Sequence, residues 1–306
     1  MKRSHITHIT EARIFAPESD RESSSRFPSD AAVLIGTPVA SWVTDRRGRP
    51  ADTGVRAAKL ADLLNTRVVA YQDLGPKVGI RGLAAARRRL SPEHFPEYAA
   101  QCADELRQEL LAANIRQVVV RAHSGNGPLG TGLCIALPDP GQEFAVSHLA
   151  ISDPVGLRKV SFLQGLKQWH RYNTGAATLT PEEHKTGRGH PGNTFKAFLA
   201  DTAIRGTSTW LTDRTSSHLE HIAAQSKQTA VRLRLPGNTL NGTAEEMCLL
   251  AAGFTTMGDT HRGEGDMPFV AEFAEAEFHS STYDNHWRNA QFIAGAVDLA
   301  PFRPGR

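Results

Sequence analysis

The chain has 306 residues, 40% of them apolar and 22% charged, with 35 basic and 32 acidic side chains giving a formal net charge of +3. That length suits one large α/β domain or two modest ones with a sizeable core, and the near balance of charge gives no argument for nucleic acid as a partner. Three widely separated cysteines, Cys102, Cys134 and Cys248, form no disulfide framework and no CxxC pattern, which fits a reducing compartment.

No apolar run is long enough to span a bilayer, and the start of the chain has no signal-like apolar core. A soluble, cytoplasmic chain without a membrane partner is therefore expected. Residues 5–16 alternate, with Ile6, Ile9, Ala12 and Ile14 among polar neighbours, and predict edge strands. A serine-rich loop over 19–29 follows. Ala31–Gly36 is a short apolar run of the kind buried on both faces of a sheet, and it breaks at Thr37-Pro38-Val39. Trp42 fits a core position, the more usual place for it, or a pocket wall.

Asp52 and Thr53 open a helix ending at Asn65, and Thr66–Tyr71 is the next strand. Gly79, Gly82 and the cluster Arg87-Arg88-Arg89, with Arg81 nearby, read as a loop and a short helix with a solvated face. Pro92–Asn114 gives a long helix with Tyr98, Cys102, Leu106 and Leu110 along one side. It feeds the β-branched run Arg116–Arg121, a buried strand, which reaches Ser124 between small residues and continues into a glycine-bearing helix over 128–137. Phe144–Asp153 is the following strand. From residue 31 to 153 strands and helices alternate, the pattern of parallel strands joined by right-handed crossovers.

Residues 155–207 break this rhythm with two amphipathic stretches around a Thr-, Gly- and His-rich loop. His170, His184 and His190 lie there without the compact spacing of a metal site, so no metal is expected. Then come a helix at 211–225, a strand at 229–235 and a helix at 244–252. A last strand is expected at 253–258, ending just before Asp259-Thr260-His261, and a closing amphipathic helix over 267–278.

A serine at a tight strand-to-helix turn has its hydroxyl pushed above the sheet edge, with the N–H groups of the next helix end facing whatever it attacks. The segment Ala122-His123-Ser124-Gly125-Asn126 resembles the nucleophile elbow of the α/β-hydrolase superfamily, G-x-S-x-G, with Ala122 and Asn126 replacing its glycines. Asp73 and Gly75 partly match the family's D-x-x-G-x-G exit from its fourth strand. The resemblance covers roughly residues 31–278. It implies a mostly parallel, eight-stranded-type sheet with helices on both faces, a core over 1–153 and 208–306, and a helical cap over 154–207.

The resemblance further implies Ser124 as nucleophile and His261, after the family's last strand, as base. The family's usual acid position, after its seventh strand, reads Leu235-Pro236-Gly237-Asn238-Thr239-Leu240-Asn241-Gly242, and asparagine carries no charge. Some lipases take the acid one strand earlier, where this chain has Asp153; Glu245, Glu246 and Asp213 are the other candidates. Asp153-Pro154 also reads as ordinary helix-capping chemistry. Oxyanion donors would be the N–H of Gly125 and one N–H from Thr37, Val39 or Ala40, since Pro38 has none. These readings point to a serine hydrolase acting on a small-molecule ester or thioester without a cofactor. The alternative is a hydrolase-fold protein that binds without turnover. A Rossmann dinucleotide site is excluded, because Gly36-Thr37-Pro38-Val39 lacks the glycine-rich turn.

Overall fold

A computed structural model of the chain describes residues 8–18, 25–37, 43, 48–73, 95–138, 144–161, 163, 164, 167, 213–225, 228–239, 241–261, 266–279, 282 and 285–302. The elements in chain order are β1 (Ile9–Phe15), β2 (Ala31–Gly36), α1 (Asp52–Leu64), β3 (Arg67–Asp73), α2 (Phe95–Ala112), β4 (Gln117–His123), α3 (Gly127–Ala136), β5 (Ala145–Ser152), α4 (Arg214–Gln225), β6 (Ala230–Asn238), α5 (Ala244–His261), β7 (Phe269–Phe278) and α6 (His286–Val297). Among the described residues the strands form one seven-stranded sheet in the order β1-β3-β2-β4-β5-β6-β7. Only β1 is antiparallel, lying against β3 at one edge.

The apolar runs are strands because both faces of the sheet are covered. Along β4, Val118 and Val120 face a core built with Tyr98, Leu106, Leu133, Leu219 and Phe254, on the side of α2, α3, α4 and α5. Val119 faces the opposite way, with Leu60 of α1 and Phe292 and Ile293 of α6. Ala32 and Leu34 of β2 take the first side and Val33 and Ile35 the second, the period of two that a pleated strand requires. Every residue of β2 and of β4 is buried.

The chain runs from β2 out to β3 and then back past β2 to β4. The order thus reverses between β2 and β4, and the carboxyl ends of these two strands border the crevice that open α/β sheets use for ligands.

Two expectations near the C-terminal end are corrected. Gly253–Gly258 is not a strand but the continuation of α5, in which Thr255, Thr256 and Thr260 each return a hydroxyl hydrogen bond to the carbonyl four residues back. The stretch 267–278 is not a closing helix; it contains β7, paired in parallel with β6 from Val231↔Phe269 to Asn238↔Phe278. Phe269, Ala271 and Phe273 pack on the larger core. The segments expected as cap, basic cluster and histidine-rich loop, and Trp42, lie almost wholly outside the described residues. Among the described residues no helix is long and apolar enough to cross a membrane, and no group of three or more potential ligands could hold a metal ion. Cys102, Cys134 and Cys248 are free thiols.

Candidate active site

The sheet ends β4 at His123 and turns at once through a single 3-10 turn, Ser124–Asn126, into α3. Ser124 sits at that corner with φ 51°, a left-handed conformation that costs a non-glycine residue roughly 1–3 kcal/mol and persists only where the surroundings hold it. They do so here: the Ser124 carbonyl accepts from the N–H of Gly127 and from that of Val155 at 3.0 Å.

The two substituted motif positions are compensated by neighbouring glycines. Ala122 is accommodated because α3 presents Gly130 to it, where a Cβ would stand 2.5 Å from the Ala122 methyl. Asn126 lays its amide over Gly36, where a Cβ would come within 2.2 Å of its nitrogen, and its Oδ1 accepts a hydrogen bond from the buried Tyr71 hydroxyl at 3.2 Å. The close approach at this corner is thus made possible by glycines on β2 and α3.

The residue facing Ser124 is His279, immediately past the end of β7. Its N–H donates to the Asn238 carbonyl at 2.8 Å, so the β6–β7 pairing delivers it. His279 Nδ1 lies 2.5 Å from Asp153 Oδ2, and Nε2 lies 2.9 Å from Ser124 Oγ. A carboxylate only accepts, so Nδ1 carries the proton and Nε2 is left as acceptor for the serine hydroxyl. Asp153 follows β5, has φ 39° and is completely buried. Thr239 Oγ1 donates to its Oδ1 at 2.7 Å, and Asn241 Nδ2 does so at 2.6 Å.

Behind this trio, the His123 ring packs on His279 with centroids 4.8 Å apart. Burial, with repulsion from Arg121 and from His279 whenever that ring is charged, holds His123 well below the ordinary imidazole range. It is thus a neutral ring at working pH. Its Nδ1 lies 3.0 Å from the Ser152 carbonyl, and the buried Arg121 donates to Ser152 Oγ at 2.8 Å.

Of the residues singled out from the sequence, the structure brings Ser124 and Asp153 together but not His261. His261 is the exposed last residue of α5, beside the Asp266–Phe269 segment that leads into β7. This is the amino-terminal edge of the parallel sheet, whereas Ser124 stands at the carboxyl edge. The displacement follows from the exchange of strand and helix on either side of residue 261. A histidine after a strand at 253–258 would reach the site; one ending a helix that precedes β7 cannot.

The alternative acids stand on other elements. Glu246 pairs with Arg158 at 2.6 Å and caps α5 through Thr243, Glu245 belongs to the first turn of α5, and the Asp213 carbonyl accepts from Ser217 at the start of α4. Gly125 lies in the 3-10 turn next to Ser124, as an oxyanion donor must. Thr37 is corrected: its N–H donates to the Tyr71 carbonyl at 3.1 Å, extending the β2–β3 ladder, and is not turned toward the site. Val39 and Ala40 lie outside the described residues.

A seven-stranded, mostly parallel sheet with helices on both faces and a serine at the β4–α3 corner is the α/β-hydrolase fold, and solved structures bear this out. The chain is similar to a Francisella virulence factor, BioJ, with TM-score 0.51 and 14% identity over 94% of this chain and 81% of that one. It is similar also to MenH from Staphylococcus aureus, with TM-score 0.50 and 10% identity over 94% and 98%. No protein-family model matches the chain, and no curated protein matches it in sequence.

Proposed function

We propose that the protein is a serine hydrolase that cleaves an ester or thioester of a small-molecule acyl substrate through an acyl-enzyme. One observation carries this reading: a single imidazole, that of His279, is hydrogen-bonded through one nitrogen to Ser124 Oγ and through the other to the Asp153 carboxylate. In this reading Ser124 Oγ bonds to the acyl carbon while its proton passes to His279 Nε2. His279 then protonates the leaving alkoxide or thiolate as its bond to the acyl carbon breaks. Water, losing a proton to the same nitrogen, releases the acid and restores Ser124. Asp153 fixes the tautomer and balances the imidazolium. The Gly125 N–H is the proposed donor to the oxyanion, a contact worth about 3 kcal/mol in comparable sites. The free thiols support a cytoplasmic setting.

The occupied Thr37 N–H favours a second reading, in which the fold binds a ligand without turnover because Thr37 lends an oxyanion no donor. A fluorophosphonate probe separates the two. The catalytic reading expects a covalent adduct, located by peptide mass spectrometry on Ser124 and absent from Ser124→Ala. A folded protein that gives no adduct at neutral pH overturns it.

A further inference from the structure

The turn after β6 holds no carboxylate, yet it is built against the one that the proposed triad uses. Asp153 presents one oxygen to each side: Oδ2 meets His279, and Oδ1 meets Thr239 and Asn241. The donors are themselves oriented. The Asn241 N–H donates to Thr239 Oγ1 at 2.9 Å, which turns the hydroxyl's own proton toward Asp153. Asn241 Nδ2 lies 3.3 Å from the main-chain carbonyl of Asp153 as well as on its Oδ1, so one amide spans the backbone and side chain of a residue in a left-handed conformation. Thr239 and Asn241 are themselves buried. A carboxylate wholly removed from water needs a partner on every oxygen, and a free Oδ1 would compete with Oδ2 for the imidazole by rotation about the Cβ–Cγ bond.

We propose that Thr239 and Asn241 are positioning residues that clasp Oδ1 of Asp153, so that Oδ2 alone is presented to His279. The turn after β6 thus carries two donors that hold an acid supplied by the end of β5. The inference rests on the triad reading given above.

Asn241→Leu and Thr239→Val remove the donors at nearly constant volume, and Thr239→Ser keeps the hydroxyl. With a saturable fluorophosphonate, the maximal rate constant of Ser124 labelling is expected to fall about 10- to 100-fold in the first two variants, by analogy with lost outer partners of other sites. The concentration giving half-maximal rate should stay unchanged, and Thr239→Ser should label as the wild type does. The second readout is the low-field proton resonance of His279 Nδ1–H, assigned by its loss in Asp153→Asn. It is expected to shift or broaden in Asn241→Leu and Thr239→Val and to persist in Thr239→Ser. Should Asn241→Leu fail to fold, Thr239→Val decides. A wild type that never labels removes the hydrolase reading but leaves the resonance to judge the clasp. Folded donor-less variants with an unchanged resonance, or a labelling wild type whose rate they match, overturn it.

Discussion

Two histidines flank the last strand. His261 ends the helix before β7, exposed at the amino-terminal edge of the sheet; His279 stands one step past β7, nine-tenths buried in its side chain and bonded on both nitrogens. Both follow apolar segments, and both were in a position that sequence order allows for a base. What separates them is which edge of the sheet the preceding element points to. A histidine becomes a base only where a strand, rather than a helix returning to the start of a strand, carries it to the carboxyl edge.

Substitutions at His279 and at Asp153, the carboxylate on its other nitrogen, test the buried side of that contrast directly. His279→Ala is expected to slow fluorophosphonate labelling of Ser124 by about 10³-fold or more, and Asp153→Asn by about 10⁴-fold through the wrong tautomer. Stopped-flow or time-resolved mass measurements read both. Labelling of His279→Ala at the wild-type rate would remove the base from the proposal.

The elbow sharpens the contrast, since its geometry is set by packing rather than by delivery along a strand. Gly36→Ala drives a methyl into the Asn126 amide, which Tyr71 holds, and is expected to cost about 1–3 kcal/mol in urea denaturation. The loss of labelling should accompany a displaced elbow. If Gly36→Ala is as stable as the wild type, the compensation argued for Asn126 fails.

Buried histidines that take no part in the contrast act through pH. Burial, with Arg214 nearby, brings His218 down to about 4, and burial likewise lowers His148 and His123. Each stays neutral in the folded chain while the unfolded chain takes up a proton near pH 6.5, so each weakens the fold as pH falls through that value, by at most about 1.4 kcal/mol per pH unit. For His218 the loss is complete near pH 4. Tryptophan fluorescence against pH should place the acid unfolding midpoint of His218→Gln below that of the wild type. An unmoved midpoint would mean that His218 is protonated in the native state.

The smallest effect is expected at His261 itself. His261→Ala should change stability by no more than about 0.5 kcal/mol and leave the labelling rate unchanged, as for an exposed position with no special packing.

Part of this candidate site was legible in the sequence. The strand-to-helix turn at Ser124 announces itself locally, in a β-branched run meeting small residues, whereas Asp153 was reached only through the resemblance, since Asp153-Pro154 reads locally as helix-capping chemistry. The compensating partners were not legible: nothing in Ala122 or Asn126 tells that Gly130 and Gly36 lie opposite. The clasp on Asp153 was hidden too, because Thr239 and Asn241 meet it across a parallel pair of strands. His279 was missed for a different reason. Phe269–Phe278 is rich in alanine and glutamate, good helix formers, while Gly253–Gly258 carries threonine and phenylalanine, good strand formers. Those preferences amount to tenths of a kcal/mol per residue. Pairing along the whole of β6, with Phe269 and Phe273 packed on the core, outweighs them. The alternation of Phe269, Ala271 and Phe273 ahead of a histidine was the available signal.

The sequence by itself determined the alternation of strands and helices from residue 31 to 153, the burial of both sheet faces and the corner at Ser124, because each depends on apolar period and on turn chemistry within a few residues. Only the tertiary structure decided the last strand, and with it the histidine that meets Ser124. The choice between strand and helix there is made by a neighbouring strand, and that neighbour's contribution is larger than any preference the segment carries alone.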